Sequence, residues 1–171
     1  MYMYQMNFAI DMQHFSLNNI LLLEPTSNIV MSGSFTKINY ITEWFTMNGI
    51  YIMFPIDIID VYGAGTKMQM KYNPYTPVNG AILHDIAKME HKLLDLYMHT
   101  HSRSVKKQIS LSRQLQTGNM KIYKEMIAGI IAPPPEGFRR KMYMIKISGI
   151  WDSNDECGIT YKLFEAHGYS S

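Results

Sequence analysis

A chain of 171 residues with 47% hydrophobic and 18% charged content has the apolar supply of one compact domain, 1–171, able to bury about 70% of its unfolded surface, which excludes a disordered polymer. Its net charge of +2 divides into −4 over residues 1–65, +8 over 66–145 and −2 over 146–171, a basic middle between acidic ends. A single cysteine, Cys157, excludes an internal disulfide and fits a reducing compartment, while the apolar runs Ile20–Leu23 and Ile50–Phe54 and the opening Met1–Asn7 predict neither a membrane span nor a secretion signal.

In chain order, Ile20–Leu23 with Pro25 beyond it reads as a short strand, and Ser32-Gly33-Ser34 as a turn. Phe35–Ile41 and Gly49–Phe54 form a β-meander, with Ile56–Tyr62 as a third strand or its continuation. Gly63-Ala64-Gly65-Thr66-Lys67 does not make a phosphate loop, since no glycine precedes the lysine and no helical pattern follows. Thr66–Tyr72 alternates Met68, Met70 and Tyr72 against Lys67, Gln69 and Lys71, a strand with a basic outer face. A helix follows over Ala81–Met98, with Asn79 as its N-cap and Ile82, Ile86, Met89, Leu93, Leu96 and Tyr97 as its apolar stripe. His84, His91, His99 and His101 invite a metal reading, but His84 and His91 lie two turns apart and no cysteine or carboxylate cluster completes a set, so no metal or other cofactor is expected.

From His99 to Lys124 the chain is basic, with Arg103, Lys106, Lys107, Arg113, Lys121 and Lys124. Such a stretch suits a polyanion, because each neutralised phosphate releases condensed counterions, and it equally suits cations that merely solvate a helix and two loops. Ile109 and Leu111 predict a short strand and Met120–Tyr123 another, with Lys121 and Tyr123 on one face. A basic loop over about 127–141 carries the polyproline connector Pro133-Pro134-Pro135 and the triple Arg139-Arg140-Lys141.

Met142–Glu165 carries the strongest pattern, a hairpin whose first strand sets Tyr143, Ile145, Ile147, Gly149 and Trp151 against Met142, Met144, Lys146, Ser148 and Ile150. Its second sets Ile159, Tyr161 and Leu163 against Thr160, Lys162 and Phe164, after a seven-residue polar connection. On this pattern Trp151 is expected in the core with Ile145 and Ile147. Asp152–Glu156 resembles the start of a calcium loop, but Cys157 replaces the required glycine and Leu163 the bidentate glutamate.

The segments Ile38–Tyr40, Phe45–Ile52, Gly118–Tyr123, Ile145–Trp151 and Gly158–Leu163 resemble an uncharacterised group of proteins encoded by giant and other large nucleocytoplasmic DNA viruses. The last two resemble, more remotely, phage-type single-stranded DNA-binding proteins, in which a strand ending Gly-x-Trp, a polar turn and a Gly-led strand recur. The resemblance implies single-stranded DNA or RNA as partner, viral replication proteins as further partners, and a place at the replication site in the host cytoplasm or nucleus. Phage-type proteins end in an acidic tail, whereas this chain ends Phe164-Glu165-Ala166-His167-Gly168-Tyr169-Ser170-Ser171.

The fold expected is mainly β with one or two helices (β-rich α+β), an oligonucleotide-binding-type β-barrel with an inserted capping helix and a core over about 16–165. The expected interface joins Lys67, Lys71, Arg103, Lys106, Lys107, Lys121, Arg139, Arg140 and Lys141 as phosphate contacts to Tyr51, Tyr72 and Tyr123 as stacking rings. A protein–protein or virion-structural module is the alternative. An enzyme ranks third, since no pair of carboxylates stands near a nucleophile or imidazole in a recognisable motif.

Overall fold

The structure, a computed structural model, describes residues 9–30, 32–124 and 139–169, with the backbone alone for 139–140 and 166–169. Its strands are β1 (Ile20–Leu22), β2 (Thr26–Ser27), β3 (Ser34–Ile41), β4 (Thr46–Asn48), β5 (Ile50–Met53), β6 (Ile58–Tyr62), β7 (Met68–Tyr72), β8 (Lys106–Gln108), β9 (Asn119–Lys124), β10 (Arg139–Asp152) and β11 (Glu156–Tyr169); its helices are α1 (Pro77–Thr100) and α2 (Ser110–Leu115). The proline connector expected at Pro133–Pro135 lies outside the described residues.

The strands make one sheet in the order β1-β3-β10-β11-β9-β7-β6, with β2 and β4 paired to β3, β5 to β10 and β8 to β11. The protein is therefore mainly β with two helices, as expected, but among the described residues β6 does not pair back to β1, and the sheet is not closed into a barrel. The long hairpin β10-β11 forms the middle of the sheet. β10 pairs with β5 along Met144–Ile147 and with β3 along Gly149–Asp152, while β11 pairs in parallel with β8 along Glu156–Gly158 and with β9 along Leu163–Glu165. Each long strand thus shares one edge between two short neighbours.

Alternation builds the core on one face. In β3, Thr36, Ile38 and Tyr40 are buried while Lys37 is exposed, and in β7 Met70 and Tyr72 are buried while Gln69 and Lys71 are exposed. α1 covers this inner face, burying Leu83, Ile86, Met89, Leu93, Leu94 and Tyr97 in the cluster that also holds Ile145, Ile147, Ile150, Ile159 and Leu163. The helix begins four residues before the expected start. Thr76 is its N-cap, accepting from Asn79 N at 3.2 Å, and Pro77 occupies the first turn, where its missing N–H costs nothing. Asn79, expected as the cap, is instead buried: it accepts from Asp57 N at 2.8 Å and donates to the carbonyls of Asp57 and Asn73, tying two loops to the helix.

Three further expectations change. Ile109–Leu111 opens helix α2 and not a strand, because the buried Glu90 carboxylate of α1 accepts from Leu111 N at 3.0 Å and Ser112 N at 2.8 Å, as well as from the Ser112 hydroxyl. A carboxylate there satisfies donors that a helix start leaves open. In β10 a bulge between Ile147 and Gly149 adds one residue against β11, so the alternation reverses and Ile150 and Asp152 turn inward after Ile145 and Ile147. Trp151 consequently lies half-buried on the outer face, over Gly158, where a Cβ would stand 2.6 Å from the indole. The hairpin turn is also tighter than the sequence suggested, closed by Ser153 N donating to Glu156 O at 2.8 Å.

Candidate nucleic-acid interface

The outer face follows from register. Tyr51 of β5 pairs Lys146 of β10, Lys146 pairs Lys162 of β11, and the pair Leu163–Ile122 sets Lys162 beside Lys121 of β9. Lys121 pairs Gln69 of β7, which pairs Tyr62 of β6. One transverse row therefore reads Tyr51, Lys146, Lys162, Lys121, Gln69, Tyr62. A second row, one residue pair along on the same side of the strands, holds Met53, Met144, Phe164 and Tyr123; Met144 in it is buried and the other three are half-buried, and the Met68–Ile122 pair puts Lys67 next to Tyr123.

Three ammonium groups on adjacent strands repel one another, and like charges placed opposite in a sheet destabilise it. Among the described residues none of Lys121, Lys146 or Lys162 has a carboxylate within ion-pair distance. Instead they lie on aromatic rings: Lys121 Nζ stands 4.7 Å and Lys162 Nζ 4.9 Å from the Tyr123 centroid, and Lys146 Nζ 5.1 Å from that of Tyr51. Phe164 adjoins Tyr123 at 6.1 Å between centroids, tilted by 52°. At the row's end the Tyr62 hydroxyl is within hydrogen-bond distance of Asn119 Oδ1 at 2.8 Å and Gln69 Oε1 at 3.1 Å, which holds the ring along the face. Neither row contains a carboxylate, imidazole or thiol.

Of the residues expected at an interface, Lys67, Lys71, Lys121, Tyr51 and Tyr123 share this face. Tyr72 does not. It is buried on the inner side with its hydroxyl donating to Leu115 O at 2.6 Å, and burial pushes its pKa up; its alternation with Met68 and Met70 had already aligned it with the core. Arg103 is at the far end of the hairpin, where Nε and Nη2 donate to the buried Asp152 carboxylate at 2.9 Å each and Tyr97 donates to the same carboxylate at 2.8 Å. The hydrogen bonds to Asp152 raise the Arg103 pKa, and burial followed by Asp152 raises that of Tyr97. These groups line an open cleft of about 380 Å³ with Ser34 and His101, but its guanidinium and carboxylate are spent on each other.

Lys107 is paired with Asp95 of α1 at 2.7 Å, and Lys106 sits beside Glu156 at the start of β11. Lys141 lies 4.0 Å from Glu165. The backbones of Arg139 and Arg140 pair with Tyr169 and Gly168, while their side chains lie outside the described residues. Sequence reasoning passed over Lys146, Lys162, Phe164 and Tyr62. The first three stand on the polar side of the hairpin alternation, which was the available signal.

His84, His91, His99 and His101 do not converge, and no group of three or more His, Cys, Asp or Glu residues able to hold a metal ion occurs among the described residues. No described helix is long and apolar enough to cross a membrane. Comparison with protein-family models, curated proteins and solved structures finds no match to this chain.

Proposed function

We propose that this chain binds single-stranded nucleic acid, without sequence preference, on the outer face of its sheet. The observation that carries the reading is the row of three lysines without carboxylate partners, laid against Tyr51 and Tyr123. Lysines on such a platform meet phosphates and release counterions, while tyrosine and phenylalanine rings stack on bases of any identity. In the free protein each ammonium rests on a ring; binding exchanges that contact for a phosphate and frees the ring face for a base. An oligonucleotide-binding barrel offers its ligand a strand face of the same kind, and the open strand path leaves that use intact. The viral resemblance makes DNA the substrate to try first, in replication, recombination or repair.

Titration of fluorescently labelled oligo-dT, followed by anisotropy over a range of salt, tests the reading. Binding at micromolar protein in low salt, weakening as salt rises, is expected. Absence of binding there would remove it and leave a protein-interaction module as the account. That second reading has its own observation: Trp44 is 84% exposed in a turn held by the Thr42 hydroxyl, which accepts from the N–H groups of Trp44 and Phe45.

A further inference from the structure

The direction in which a strand would cross the outer face can be read from where the cations lie. On this side of the sheet β9 carries Asn119, Lys121 and Tyr123, β10 carries the buried Met144 together with Lys146 and Ser148, and β11 carries Thr160, Lys162 and Phe164. Among the described side chains, each of these strands carries one cation on this side. β7 carries Lys71 with Lys67 just before it, but Asp60 pairs with Lys71 across the strands. A backbone running along any of these strands would meet one unopposed ammonium group, whereas one running across β10, β11 and β9 meets three in succession.

We infer that a single strand crosses this face transversely to the β-strands, along the row from Tyr51 to Tyr62, with a footprint of about four nucleotides. The inference rests on the nucleic-acid reading above. Neighbouring strands stand about 4.8 Å apart, so five intervals from β5 to β6 span roughly 24 Å. That is a short tract, at the lower end of the roughly 4–16 nucleotides that single-strand platforms cover. The phosphates follow Lys146, Lys162 and Lys121. The bases lean toward Phe164 and Tyr123, about 6.6 Å along the strands, and the tyrosines at the row's ends close the site. A blunt duplex keeps its base faces in its own stack and cannot use those rings, so the ligand class is an unpaired strand.

The experiment measures affinity for oligo-dT from about two to about twelve nucleotides, for the parent and for Tyr51→Leu, Tyr62→Leu and Lys37→Ala. Lys37 is the control: it is exposed on the same face but lies along the hairpin, opposite Gly149. Affinity should climb steeply up to about four nucleotides and slowly thereafter. Tyr51→Leu and Tyr62→Leu should each weaken a ligand of about four to six nucleotides on the order of fivefold or more, with Tyr51→Phe and Tyr62→Phe restoring it, while Lys37→Ala leaves it unchanged. Circular dichroism establishes that each variant is folded. A loss with Lys37→Ala and none at the two tyrosines overturns the transverse path and leaves the nucleic-acid reading standing. A parent that binds oligo-dT of no length overturns both.

Discussion

Replacing Lys146, Lys162 and Lys121 together by glutamine removes charge from the row while keeping long polar side chains on an exposed face. If each ammonium group neutralises one phosphate, the slope of log K against log salt should flatten by about 0.7 per contact on a single strand, about 2.1 in all. Between roughly 50 and 200 mM salt, a fourfold change, that share of the slope corresponds to a roughly 18-fold loss of affinity for the parent that the triple variant should not suffer. Tyr123→Ala is the complementary perturbation: it should weaken binding by about 1–3 kcal/mol and leave the slope unchanged. Anisotropy titrations with labelled oligo-dT at several salt concentrations measure both. A triple variant whose slope equals the parent's would refute the assignment of phosphate contacts to this row.

Glu90→Ala should destabilise the protein by about 1–3 kcal/mol or more in urea unfolding, since it leaves the N–H groups at the start of α2 without their carboxylate acceptor; Glu90→Gln, which retains one acceptor oxygen, should cost less. The Cys157 thiol is buried and pushed up to about 11, chiefly by burial, so it should resist a thiol reagent at neutral pH in the native protein and react once denaturant is added. Because that pKa is raised on folding, its share of stability is present below the ordinary value of 9.0 and is lost as pH rises through about 11, which unfolding midpoints across that range would reveal. Gly149→Ala should cost about 1–3 kcal/mol or more and exceed Gly158→Ala, since the added carbon meets the Thr36 backbone oxygen at 2.4 Å in the first case and the movable Trp151 ring in the second; equal melting temperatures would contradict it.

The alternating runs made much of the sheet legible. Met68, Met70 and Tyr72 against Lys67, Gln69 and Lys71 described β7 correctly, and the hairpin pattern held as far as Ile147. Period two cannot register a bulge, which is why Trp151 fell on the wrong side. Helix α2 was equally invisible: its first N–H groups are held by Glu90, 21 and 22 residues earlier in the chain, so a local window saw only two apolar residues near a turn. For the interface, the polar faces of β5, β7 and β9 supplied Tyr51, Lys67, Lys71, Lys121 and Tyr123. Summing charge by segment hid Lys146 and Lys162 inside a stretch of net −2. Their meaning depends on lying side by side across strands, and register is a tertiary quantity.

The last two strands of the sequence occupy the middle of the sheet, with β3 on one side and β9 on the other. Until β10 and β11 have been synthesised, the strands already made have no partner joining them: β1 to β4 can zip together, as can β6, β7 and β9, but the two groups share no ladder. A ribosome making this chain therefore exposes two unfinished edges until the hairpin arrives as a keystone. Folding is then expected to wait for the hairpin and to be slow, as assembly from distant contacts generally is. Interrupting translation before residue 139 should yield two separate half-sheets in place of a smaller version of the protein.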